Sequence, residues 1–172
     1  ARHLEEPFAD PSILPTWYLS QLTRTHVTVA LNGDGGDENF AGYARYQAMR
    51  HYYTLRRFHP LLIHLRQSLI KMIRSNNSII SLLRAYNHSP AQTYLHMRQM
   101  LPEHAGECIF TELFETNSTL DWRDQILSVD VHSYLPDDLL VKADMASMAH
   151  GLEMRSPFLD HLFMELVASM PP

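Results

Sequence analysis

Three carboxylates fall within five residues in the stretch Asn32-Gly33-Asp34-Gly35-Gly36-Asp37-Glu38, on a turn that also holds three glycines. Like charges this close repel unless a cation or converging N–H groups offset them. Magnesium suits such a site, because hard cations take oxygen ligands, and a turn from strand into helix also aims backbone N–H groups at a bound anion. The loop is therefore a candidate for a magnesium–phosphate ligand. A plainer reading uses the same residues structurally, with Asp37 capping a helix, Glu38 in its first turn and Asp34 in a solvated turn. Spacing alone leaves both open.

Lys142 is the second candidate. It follows Asp138 by four residues on an expected helix, so it suits either a surface ion pair or a point charge aimed at phosphate oxygens. Asp144, Glu153, Arg155 and Asp160 lie near it in sequence, and Glu153 with Arg155 read best as part of a buried ion-pair network tying the last helices together. The eleven histidines are scattered without metal-ligand spacing, and Cys108 is the single cysteine, which excludes an internal disulfide and a Cys-rich zinc site. Neither a Walker loop nor a G-x-G-x-x-G fingerprint occurs.

The elements that position these residues read as follows. Ser12 is placed to cap a helix over Ile13 to Thr25, and Val27 to Leu31 reads as a short buried strand. Phe40, Tyr43, Tyr46 and Gln47 recur at helical spacing directly after the glycine turn. Helices are expected from His51 to about Leu101, with Leu62, Leu65, Leu69, Met72 and Ile73 on one apolar face, a turn at Ser75 to Ser78, then helices over Ile79 to Tyr86 and Ala91 to Met100; another is expected over Cys108 to Phe114. Pro136 suits the start of a later helix and Gly151 its end. A lone strand leaves backbone groups unpaired, so either two copies pair as a homodimer or the strand belongs to a larger α/β sheet.

Size and charge narrow the class. The 172 residues carry a net charge of −5 and are 45% hydrophobic, enough for a core without a metal or disulfide staple. Residues Arg45 to Arg98 hold nine of the 14 Lys and Arg and no Asp or Glu, leaving −14 on the remainder. That basic stretch suits a solvated or domain-docking face better than nucleic acid, because no nucleic-acid fold signature accompanies it. No apolar run reaches membrane-spanning length and no signal pattern opens the chain, so a cytoplasmic protein is expected.

Four blocks, in order along the chain, resemble the synthetase domain of glutamine-hydrolysing asparagine synthetases and their amidotransferase relatives. They are Glu6-Pro7-Phe8-Ala9-Asp10-Pro11-Ser12, Val27 to Tyr43, Tyr134 to Asp144, and Ser147 to His161. The resemblance implies a mainly α chain, the helical C-terminal part of an α/β PP-loop synthetase domain retaining one short strand, with residues 1–172 a partial domain. It implies that ATP and Mg2+ activate a carboxylate, that of aspartate or of another substrate as in relatives linked to exopolysaccharide systems. Ammonia released from glutamine by a glutaminase domain then displaces AMP. By the same resemblance Asp37 matches the magnesium ligand, and Asn32, Gly33, Gly35 and Gly36 match the nucleotide-contacting turn. Asp34 matches an acidic residue important for forming the intermediate, and Lys142 matches the lysine that neutralises the departing pyrophosphate. Asn32, Asn39, Ala41 and Met145 depart from the usual serine, leucine, glycine and arginine. The family's Ser-Gly-Gly-x-Asp-Ser loop and glutaminase domain are expected ahead of Ala1, and the 172 residues alone are expected to make no amide and hydrolyse no glutamine.

Overall fold

Val29–Leu31 forms a strand, β1, beside a second strand, β2, at Glu153–Arg155. They run parallel, with Val29 opposite Glu153, Ala30 opposite Met154 and Leu31 opposite Arg155. Two flanking bonds extend the ladder: Glu153 N donates to Thr28 O at 3.0 Å and Asn32 N to Arg155 O at 2.9 Å. The expectation of a lone strand is thereby corrected. A three-residue strand with a charge at each end carries no apolar alternation, so β2 does not announce itself in sequence. Nor is β1 buried, since Val29 and Leu31 both stay exposed and only Ala30 is half-covered.

The structure, a computed structural model, describes residues 8–56, 89–98, 107–117 and 119–170. They divide into two compact units, one comprising the described residues up to Gly42 and from Trp122 onward, the other those from Tyr43 to Asp121. The chain is mostly helical, as expected. The apolar face expected over Leu62 to Ile73, the turn at Ser75 to Ser78 and the helix expected over Ile79 to Tyr86 lie outside the described residues.

In the first unit, α1 (Ile13–Arg24) packs on α7 (Val141–Met148). The buried side chains Ser20, Ala143, Ala146 and Ser147 are small, which lets two helices approach closely. Ser12 stands at the α1 N-cap but makes no capping bond; its hydroxyl donates instead to Asp10 Oδ2. A π-helical segment, Leu135–Leu140, with Pro136 in its first turn, runs straight into α7. Gly151, in the left-handed region at φ +66, ends that helix and turns the chain into β2, and Arg24 Nε donates to its carbonyl at 2.9 Å. A 3-10 turn (Pro157–Leu159) leads to α8 (His161–Ala168), where Asp160 accepts capping bonds from the backbone N–H groups of Leu162 and Phe163. Leu14, Tyr18 and Leu22 on α1, and Leu162 and Leu166 on α8, form exposed stripes at four-residue spacing. Met148 is exposed.

The helix expected directly after the glycine turn is broken. It splits into α2 (Gly36–Phe40) and α3 (Ala44–Arg56), because Ala41 adopts a left-handed conformation, φ 56 and ψ 40, that a helix cannot pass through. The second unit then comprises α3, α4 (Pro90–Arg98) and α5 (Glu107–Thr116), with Cys108 in a helix as expected. Ser89 and Gln92 exchange the reciprocal bonds of a capping box at the start of α4. Its core is aromatic: Tyr46 stacks on Tyr94, which meets Phe114, while Met49 and Tyr52 are buried beside them. Of the basic stretch, Arg45 lies over the Tyr43 ring at 3.7 Å and Arg56 over Tyr52 at 5.9 Å. The last helix before the π-segment, α6 (Trp122–Val131), belongs to the first unit and packs on α2. Among the described residues no helix is long and apolar enough to cross a membrane.

Candidate functional site

The carboxyl ends of β1 and β2 carry the site, which is where parallel α/β sheets place their ligands. Asn32 leaves β1 and Ser156 leaves β2. Asn32 Nδ2 donates to Asp34 Oδ2 at 2.7 Å, and its Oδ1 accepts a short hydrogen bond from Ser156 Oγ. One amide side chain therefore bridges both strand ends and orients a carboxylate.

The glycines after Asn32 differ in what they do. Gly35 caps α2 at φ +87, and a Cβ there would overlap the Leu159 side chain, so both conformation and space require glycine. Gly36 opens α2 against Phe158, whereas a Cβ on Gly33 would meet nothing within 4 Å. The free side of Gly33 faces solvent. With five residues α2 is too short to supply much of a macrodipole, so the turn itself offers an anion little helix-end attraction.

The three acids separate. Asp37 is exposed in the first turn of α2 and makes no capping bond, since Gly35 holds that place. Its carboxylate lies against Gly42, where a Cβ would overlap Asp37 Oδ1. Glu38, the next residue, is buried, 2% exposed. Asp34 is half-buried, and burial pushes its carboxyl above the ordinary value, outweighing the nearby Lys142 charge and the Asn32 hydrogen bond.

Lys142 reaches this point from α7. The surface pair with Asp138 is not formed; the Lys142 ammonium donates to Asp10 Oδ2 at 2.7 Å, 132 positions away in sequence. The π-segment explains the mismatch. Its wider turn breaks the register in which residues four apart face each other. Burial alone would raise the Asp10 carboxyl, but hydrogen bonds from Lys142 and Ser12, together with the lysine charge, hold it below its ordinary value. The buried network expected of Glu153 and Arg155 is likewise absent: Arg155 Nε meets Glu153 Oε1 at 2.8 Å on the same strand, with both side chains more than half exposed.

The structure thus brings Asn32, Asp34 and Lys142 together, while Asp37 is exposed and lies against Gly42. Asp10 and Ser156 were not singled out by residue type. Beyond their places in two of the family-like blocks, the local signal for Asp10 is the Asp-Pro-Ser turn that opens α1, and Ser156 is one serine among many.

The sequence matches the asparagine synthase family over residues 1–172. The chain belongs to the asparagine synthase family. Curated proteins similar to it include a putative glutamine-hydrolysing asparagine synthetase of Mycobacterium bovis, 30% identical over 98% of this chain and 28% of that protein. Glutamine-hydrolysing asparagine synthetase 1 of Bacillus subtilis is 27% identical over 98% of this chain and 29% of its own length. A putative synthetase of Methanocaldococcus jannaschii shares 56% identity over 39 residues, 23% of this chain. The chain therefore spans less than a third of the length of the Mycobacterium bovis and Bacillus subtilis relatives. No solved structure matched it significantly.

Whether these residues suit magnesium is decided by the donor set. Among the described residues no group of three or more His, Cys, Asp or Glu side chains is arranged to hold a metal. Asp37 offers one exposed carboxylate, and Asp34 faces a lysine. That set fits a magnesium ion delivered on phosphates, which needs only one or two protein carboxylates, and does not fit a dedicated metal cage.

Proposed function

We propose that the chain is part of the synthetase domain of an ATP-dependent amidotransferase. In it the aspartate side chain, or a related carboxylate, is adenylated, and ammonia from a glutaminase domain displaces AMP to give an amide. The observation that carries this reading is the Lys142 ammonium, anchored on Asp10 and close enough to Asp34 for its charge to act there, at the carboxyl ends of two parallel strands. A fixed positive charge there stabilises the negative charge that builds on a departing pyrophosphate. Asp37 is the residue that would meet magnesium, whose contribution is neutralisation of phosphate charge. Asn32 holds Asp34, Gly33 leaves the turn open to the nucleotide, and Gly35 and Gly36 let it pack against Leu159 and Phe158. The exposed apolar stripes of α1 and α8, together with the share of the relatives that the chain spans, support a domain completed by further polypeptide.

The test is pyrophosphate release by the full-length protein with ATP, magnesium, aspartate and an ammonia source. Release is expected to require both ATP and the carboxylate, and Lys142→Ala is expected to lower kcat by about 100-fold or more, the scale of losing one preorganised charge donor. Release that ignores the carboxylate, or a Lys142→Ala enzyme as fast as wild type, would overturn the reading.

A further inference from the structure

A lysine ends a flexible four-carbon stem, so an unrestrained ammonium samples many positions. Lys142 is restrained. Its Nζ meets Asp10 Oδ2 at 2.7 Å, and the two side chains retain only 14% and 8% of their exposure. Asp10 is itself held twice by Ser12, whose backbone N–H donates to Oδ1 at 2.8 Å and whose hydroxyl donates to Oδ2 at 2.7 Å. Pro11 between them fixes its own φ, and Ile13 N donates to the Asp10 carbonyl at 3.2 Å as α1 begins. The carboxylate is therefore set in a rigid turn before the lysine reaches it. Among the described residues no second hydrogen bond engages Lys142 Nζ, which leaves two of its three donors for a ligand.

We propose that Asp10 is a positioning residue, which fixes the Lys142 ammonium beside Asp34 and so aims its two remaining N–H donors at the phosphates of the nucleotide. The proposal rests on the reading of Lys142 as a phosphate-binding lysine and adds the residue that holds it. A carboxylate suits the task better than a neutral acceptor, because an ammonium withdrawn from water needs a counter-charge. Asp10 occupies one donor only. The rest of the charge stays available to an incoming polyanion.

Two measurements on the full-length protein separate this proposal from the functional reading beneath it. Lys142 and Lys71 are the only lysines of the chain, so acylation followed by peptide mass mapping reports Lys142 with an internal reference. At fixed pH without nucleotide, Asp10→Asn keeps the side-chain shape and an acceptor for the Ser12 N–H but removes the charge. It is expected to speed Lys142 labelling by about tenfold as the stem regains its freedom, leaving Lys71 unchanged. Ser12→Ala loosens the carboxylate while keeping its charge and gives a smaller rise, roughly twofold for one lost hydrogen bond. No rise in either variant would overturn the proposal.

In steady state, Asp10→Asn is expected to lower kcat for pyrophosphate release by about 10- to 100-fold, the scale of a misplaced charge donor. The KM for ATP is expected to change little, and Asp10→Glu to recover part of the rate. A raised KM at unchanged kcat counts against positioning. A wild-type protein that releases no pyrophosphate would sink the ligase reading, and the labelling rates would still decide whether Asp10 holds Lys142.

Discussion

Asn32 hydrogen-bonds Asp34 with its nitrogen and Ser156 with its oxygen, so a single amide couples the turn after β1 to the end of β2. Neither partner is replaceable by solvent without cost, because the three side chains are only partly exposed. Asn32→Ala is expected to lose about 1–3 kcal/mol of stability, the penalty for leaving such groups unsatisfied. Asn32→Ser shortens the side chain and keeps at most one of the two bonds, so it should fall between wild type and alanine. Urea unfolding of the three proteins checks the order.

Asp34 carries a pH signature of opposite sign to most carboxylates. Burial raises its folded-state value above that of the unfolded chain, so the folded protein holds the proton more tightly. Ionised Asp34 therefore opposes folding. The penalty is absent below about pH 4, where the unfolded carboxyl is protonated too, and it grows as pH rises toward the raised folded value. Asp34→Asn is expected to be more stable than wild type at pH 7, with the advantage shrinking as the pH falls to about 4. Parallel urea titrations at both pH values test this, since every other titrating group is common to the two proteins. A constant difference would contradict it.

These two residues also show what was legible in sequence. The glycine turn and its acids are local, and sequence placed them correctly after a strand and before a helix. Helix α1 was likewise readable from the start signal at Ser12, although that serine makes no capping bond. What escaped was set by partners far along the chain. Whether Val29 and Leu31 lie buried depends on which elements cover β1, and apolar composition alone does not reveal that. Strand β2 exists because β1 offers it a ladder, not because Glu153, Met154 and Arg155 favour extension. Helical spacing offers Lys142 a surface pair with Asp138 as one of two roles, and the π-segment takes that pair out of register. The break at Ala41 was hidden because alanine is the best helix former, and only its backbone dihedrals betray the turn.

Lys142 and Asp10 form a largely buried pair, and pairs withdrawn from water are more costly to halve than to remove. Lys142→Met leaves the Asp10 carboxylate enclosed without its counter-charge and is expected to cost about 3–5 kcal/mol. Combining it with Asp10→Leu removes the stranded charge, so the double variant should be more stable than the Lys142→Met single. A thermal double-mutant cycle measures the coupling. Because hydrogen bonds and the lysine charge lower the Asp10 carboxyl despite burial, the stability this residue contributes is present above its unfolded value and lost as pH falls below about 4 through the folded one. The coupling energy should vanish over the same interval.

Ala41 is the only non-glycine residue with positive φ among the described residues, at 56°. Its backbone N–H helps close α2 by donating to the Asp37 carbonyl, and the following Gly42 N donates to that same carbonyl at 3.1 Å. The turn thus ends α2 and sends the chain toward α3, and it does so with a Cβ in a region that costs an L-residue roughly 1–2 kcal/mol. Glycine removes that strain but gives back part of the gain through the greater freedom of the unfolded chain. Ala41→Gly is therefore expected to stabilise the protein by about 0.5–1 kcal/mol. Ala41→Val, with a branched Cβ in the same conformation, should destabilise it by more than that. Chemical denaturation of both variants checks the signs, and an Ala41→Gly variant less stable than wild type would mean that the left-handed turn at Ala41 does not persist in solution.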